Sequence, residues 1–263
     1  MDGNWAPPLA YLFIALLTPA ASVLILVFMY LVILGDSSET AFIAFIMAGS
    51  SVFIFVRMVF QGFGWAVVED REHYKLLRYI YIVPVPFSVQ LFGRSVSKIG
   101  ISIIGSAMTI AAGYLFLDIP FRTGGIDWGM FGGAFILGLI GCLAMGWILA
   151  GVMLLTDRMG WVMVEGVAGV LFLLSGAVIP LSVLPGFLAS IGKFIPITYW
   201  AELWRLALYG KAAALSLPGM AVNVLWFRLT VLTVCSLIFA FIWNKAVDRI
   251  ARQSGRIEAE TFY

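Results

Sequence analysis

Long apolar blocks joined by short polar segments set the pattern of this chain. A helix rises 1.5 Å per residue, so about 20 apolar residues cross a hydrocarbon core. The sequence supplies six such runs, near 9–34, 41–68, 95–117, 130–156, 161–180 and 221–243. Between the fifth and sixth, the stretch 181–209 is apolar but broken by Pro185, Gly186, Gly192 and Pro196 into two pieces too short to cross. It is expected to enter the membrane partway and return, because lipid tolerates irregular backbone only where protein or a wet cavity covers it. The pattern predicts an all-α membrane protein: six transmembrane helices with a re-entrant helical hairpin between spans 5 and 6, in a single transmembrane domain over 1–263. No internal repeat or low-complexity linker divides it.

The one long charged run lies between the second and third blocks, over 69–94. On a helix, Leu76, Leu77 and Ile80 share one face and Arg71, Lys75 and Arg78 another, the signature of an amphipathic segment at a membrane surface. Pro84 and Pro86 are expected to end that helix, since proline lacks the N–H and restricts its predecessor. Basic residues also orient the bundle. Arg71, Lys75, Arg78, Arg94, Lys98, Arg158, Lys245, Arg249, Arg252 and Arg256 fall on one side of the six-span arrangement, against Arg122, Lys193, Arg205 and Lys211 on the other. The excess makes the first side cytosolic, with both termini inside and 244–263 a short cytosolic helix or strap beside lipid headgroups. The apolar first run is too long and too poorly flanked for a signal peptide, so it is expected to persist as a span.

Composition agrees with a membrane setting. The chain is 62% hydrophobic and 11% charged, with mean hydropathy +1.04, against roughly 45–50% apolar and about 25% charged in soluble domains. A net charge of +2, spread over span ends, argues against a nucleic-acid partner. Cys142 and Cys235 sit in apolar runs and read as small buried side chains. The glycines at 129, 132, 133, 138, 141, 146 and 151 let the fourth span pack closely on other helices of the chain, and Trp5, Trp65, Trp128, Trp161 and Trp243 read as interfacial anchors.

Catalytic chemistry is sparse. There is no Gly-x-x-x-x-Gly-Lys-[Ser/Thr] phosphate loop, His73 is the single histidine, no Cys/His cluster suits zinc, and Ser175 lacks a histidine partner. Arg57 lies about 16 Å inside the cytosolic end of the second span. Glu165, one turn into the fifth span, is its best partner, either as a gate or substrate-path pair or as a structural ion pair. Arg228 either snorkels or meets Glu202.

Three stretches resemble the membrane subunit of a type-2 ABC exporter (ABC-2 type permease). Glu69-Asp70-Arg71-Glu72 followed by Pro84 is similar to that family's Glu-Arg-Glu segment and downstream proline, and Gly93-Arg94 to the pair before its third span. The series Ser175-Gly176, Pro180, Leu184-Pro185, Pro196-Ile197-Thr198-Tyr199, Arg205 and Gly210 resembles its re-entrant extracellular gate. Pro19 and Gly49 also sit where the family often has them. The resemblance implies that Glu69, Asp70, Arg71, Glu72, His73, Tyr74, Lys75, Arg78 and Pro84 form a coupling segment for a cytosolic ABC ATPase. It places Ser175, Gly176, Pro180, Pro185, Pro196, Tyr199, Glu202 and Arg205, with Arg57 and Glu165, along a pathway or gate. His73-Tyr74-Lys75-Leu76 depart from the family's Gly-Thr-Leu, and only Met1–Pro8 precede the first span where the family has a basic helix, so the ATPase seat is expected to differ.

The implied function is a plasma-membrane permease subunit pairing with a second copy or a related permease. ATP and Mg are expected on the partner ATPase, with no cofactor or metal on this chain. Few charges in the spans suit a hydrophobic or amphipathic cargo: drug-like, lipid or glycolipid. The alternatives are an ion-coupled secondary transporter using Arg57 and Glu165, and an integral membrane enzyme acting on lipid.

Overall fold

A computed structural model describes residues 21, 25, 28, 40–70, 87–117, 119, 121, 125–156 and 160–253. Among the described residues the fold is all-helical, with seven helices and no strand. They are α1 (Thr40–Val68), α2 (Phe87–Leu117), α3 (Trp128–Leu155), α4 (Gly160–Leu174), α5 (Gly186–Gly192), α6 (Pro196–Leu208) and α7 (Val222–Gln253), with a 3₁₀ turn at Lys211–Ala213. Four segments, Thr40–Val68, Ser88–Leu117, Trp128–Leu155 and Val222–Ala251, are long and apolar enough to cross a bilayer. The chain is a membrane-embedded helical protein.

The centre is α1, which packs against α2, α3, α4 and α6. In its most apolar window 83% of residues are buried, against 28% in α2 and 22% in α7, so α1 is the pillar and the other two present outer faces. Around it, α3 packs on α6 and α7. Close approach of α3 to α6 and to α1 depends on glycine: a Cβ at Gly138 would run into the Trp200 indole of α6, and one at Gly146 would stand 2.6 Å from the Phe63 ring of α1. An aromatic cluster of Phe55, Phe131, Phe135, Trp200 and Trp204 fills the space, with the Phe131 and Trp204 ring centroids 4.0 Å apart.

Several boundaries differ from the sequence reading. The helix expected at 161–180 stops at Leu174; at 15 residues it is about 22 Å long, short of the roughly 30 Å core. Ser175 and Gly176 break it, with Gly176 at φ +70, a conformation open to glycine at little cost. The polar segment 69–94 is shortened, because α2 already begins at Phe87 and carries Gln90 and Arg94 on its first turns. The tail is not a separate helix from residue 244 onward: α7 runs unbroken to Gln253, with neither glycine nor proline to stop it. Asn244 sits inside α7, its Nδ2 donating to Ala240 O at 2.9 Å and to Trp147 O at 3.1 Å. In 181–209 the chain forms α5 and α6, separated at 193–195. Apart from residues 21, 25 and 28, the first span lies outside the described residues, as do Arg71, Glu72, His73, Tyr74, Lys75, Arg78, Pro84 and 254–263.

Candidate functional site

Three polar clusters punctuate the apolar bundle, and α1 runs past all of them. The first is built on α6. Proline at its first position, where no intrahelical donor is needed, starts the helix after extended Ile195. Thr198, Glu202 and Arg205, spaced by four and three, then share one face. On a soluble helix that face meets water, yet every residue of α6 is buried.

The face is buried because it carries its own partners. Arg205 is 0% exposed and all five of its N–H groups find acceptors. Nε donates to Phe45 O at 3.2 Å; Nη1 donates to Glu202 Oε2 at 3.0 Å and to Ser216 Oγ at 3.4 Å; Nη2 donates to Gly176 O and Ala177 O, each at 2.8 Å. The guanidinium also lies over the Phe45 ring, 3.7 Å from its centroid. The other Glu202 oxygen accepts from Leu217 N at 3.1 Å, and Ser216 Oγ donates to Gly176 O at 3.0 Å. One side chain therefore ties together α1, the 175–177 break, α6 and the loop before α7. Gly49 on α1 is part of this fit, since a Cβ there would strike the Ala177 carbonyl and Arg205 Nη2.

Around this hub, Tyr199 Oη donates to Lys193 O at 2.8 Å and accepts from Arg228 Nη1 at 3.2 Å, while Thr198 Oγ1 donates to Gly192 O at 2.8 Å. Arg228 thus meets Tyr199 and not Glu202, whose carboxylate is already held by Arg205 and Leu217 N. Ser175 and Pro180 are buried beside the hub, whereas Pro185 caps α5 at the exposed surface.

The second cluster closes the other end of α1. Arg94 on α2 reaches back to both residues that follow α1, with Nη1 3.2 Å from Glu69 Oε2 and Nη2 2.7 Å from Asp70 Oδ1. Gln90 Nε2 donates to Asp70 Oδ2 at 3.3 Å. Asp70 is buried, and this burial pushes its carboxyl above the usual value while the Arg94 charge pulls it back.

The third cluster lies midway. Arg57 Nη2 is 3.2 Å from Glu165 Oε2, and Gln61 Nε2 donates to Glu165 Oε1 at 2.8 Å. This pair is open: the Arg57 and Glu165 side chains are 45% and 37% exposed.

No family model matches the chain, and no curated protein matches it.

The structure therefore brings Arg57 to Glu165, and gathers Ser175, Gly176, Pro180, Pro196, Tyr199, Glu202 and Arg205 into one region. Glu69 and Asp70 stand at the opposite end of α1. Sequence reasoning missed Gln61, Gln90 and Ser216 as partners. Gln61 was findable, lying four residues after Arg57 on the same helix face. Ser216 shows only as one hydroxyl between leucines, and nothing local points it at Arg205.

Proposed function

We propose that this chain is the membrane-spanning permease subunit of an ATP-binding cassette exporter, moving a hydrophobic or amphipathic cargo and driven by a separate ATPase. The observation carrying this reading is the buried membrane-length helix α1, anchored at one end in the Arg205 hub and at the other in the Arg94 clamp. A rigid, interior helix with polar fasteners at both ends transmits displacement along its length. Force applied to the charged segment after Asp70 reaches the hub through α1.

In this reading six spans cross the plasma membrane, α5 and α6 form the re-entrant gate, and both termini face the cytosol. Two copies, or one with a related permease, enclose the pathway, and ATP with Mg binds the partner ATPase. Co-expression with a cytosolic P-loop ATPase should yield a complex. Charge reversal at Glu69 or Arg71 should leave that complex assembled while uncoupling ATP turnover from transport. ATP-independent accumulation of cargo by the purified chain in vesicles would refute the reading.

The Arg57–Glu165 pair favours a second reading, an ion-coupled secondary transporter, because ionisable groups at membrane depth often serve coupling. Transport that follows an imposed proton or sodium gradient without ATPase would select it.

A further inference from the structure

The two charges of the middle cluster stand where charges are least welcome. Eleven residues separate Arg57 from the end of α1, a depth of about 16 Å, yet both side chains are open on the outside of the single chain. Ionisable groups at that depth almost always face the bundle interior or a water-filled cavity, so an open pair there points to a wet cavity, a pathway or a polar occupant. In the Arg205 hub every guanidinium donor is engaged. Arg57 instead has Glu165 as its one partner among the described residues.

Beside the pair, α4 is bare. Gly166 and Gly169 are exposed, and a Cβ added at either would meet nothing within 4 Å. Residues 165, 169 and 173 share a helix face with 170 at its edge, and Val170 and Leu173 are exposed apolar side chains. The surface therefore offers two opposite charges followed by a smooth apolar strip.

We propose that Arg57, Gln61 and Glu165 bind the zwitterionic headgroup of an amphiphile, whose chain lies along Gly169, Val170 and Leu173. The pair is neutral as a unit. An anionic or cationic head would leave net charge in a low-dielectric site, whereas a head bearing both signs places its anion on Arg57 and its cation on Glu165 with no net charge added. Gln61 keeps Glu165 oriented while its bond to Arg57 opens. The inference rests on the permease reading, since it names the class of cargo that such a pathway takes.

The test uses the full chain in nanodiscs of phosphatidylglycerol, which contains no zwitterion to compete. Photoreactive dodecyl probes carry a phosphocholine, sulfate, trimethylammonium or maltoside head, and the labelled peptides are mapped by mass spectrometry. The phosphocholine probe should label α1 and α4 saturably, at a concentration about tenfold or more below the other three. R57Q and E165Q should each raise that concentration by about tenfold, the loss of one charge-assisted contact. If either single variant misfolds, the double R57Q/E165Q, which strands no charge, replaces it with the same expectation. Equal labelling by all four heads, or unchanged labelling in the variants, overturns the site. Because binding is read without ATPase or ATP, selective labelling with no ATP-driven transport would retain the site and remove the exporter reading. Coupled transport without selective labelling would do the opposite.

Discussion

Two of the arginine–glutamate pairs among the described residues share their chemistry but stand in opposite circumstances. Arg205–Glu202 is sealed, at 0% and 1% side-chain exposure, with every guanidinium N–H and both carboxylate oxygens engaged. Arg57–Glu165 is open, with 45% and 37% exposure and, among the described residues, Glu165 as the one partner of the arginine. A saturated pair has no capacity left for a ligand and acts as a fastener. The unsaturated pair is the one proposed to take a headgroup. Saturation, more than charge, separates the two pairs.

The sharpest way to break the comparison is to cut the sealed pair. Arg205→Ala strands buried Glu202 and takes a donor from three backbone carbonyls, so thermal unfolding in detergent should show a loss of about 3–5 kcal/mol or no folded protein. Arg205→Lys should also fail, because an ammonium cannot span five acceptors in a planar fork. Next in size is Gly49→Ala, whose new Cβ meets the Ala177 carbonyl, a backbone atom that cannot swing aside. A loss of about 1–3 kcal/mol is expected in the same assay. The open pair should behave differently: R57Q/E165Q together should move stability by less than about 1 kcal/mol while raising the phosphocholine labelling concentration by about tenfold. A large destabilisation by that double variant would erase the distinction.

The smallest effect belongs to the Arg94 clamp. Burial raises the Asp70 carboxyl above 3.8, so the folded chain holds that proton more tightly than the unfolded one. This contribution therefore adds stability as pH falls through the raised value towards 3.8, and is lost as pH rises through it. Asp70→Asn keeps a hydrogen-bonding carbonyl for Arg94 and should remove that slope, read as stability between pH 4 and 7, with little change at neutral pH.

Much of this was legible from residue order. The apolar blocks at 41–68, 130–156 and 221–243 became α1, α3 and most of α7, because about 20 apolar residues in a row have few alternatives to a membrane helix. The breakers after Leu174 marked the short helices, and proline at 196 marked the start of α6. Arg57 with Glu165 followed from their depth. Where α2 begins and α7 ends was less clear, because Arg94 and Asn244 look like loop residues until their partners are known.

What residue order determined by itself was four of the six expected membrane-length helices, since hydropathy and chain length are local quantities. Only the tertiary structure decided which helix stands at the centre and which arginine Glu202 takes. Apolar side chains serve equally well against lipid or against another helix, so their pattern does not say which face is inside. A guanidinium selects its acceptors by geometry across the fold, and Phe45, Gly176, Glu202 and Ser216 converge on Arg205 only once four separate stretches have been packed together.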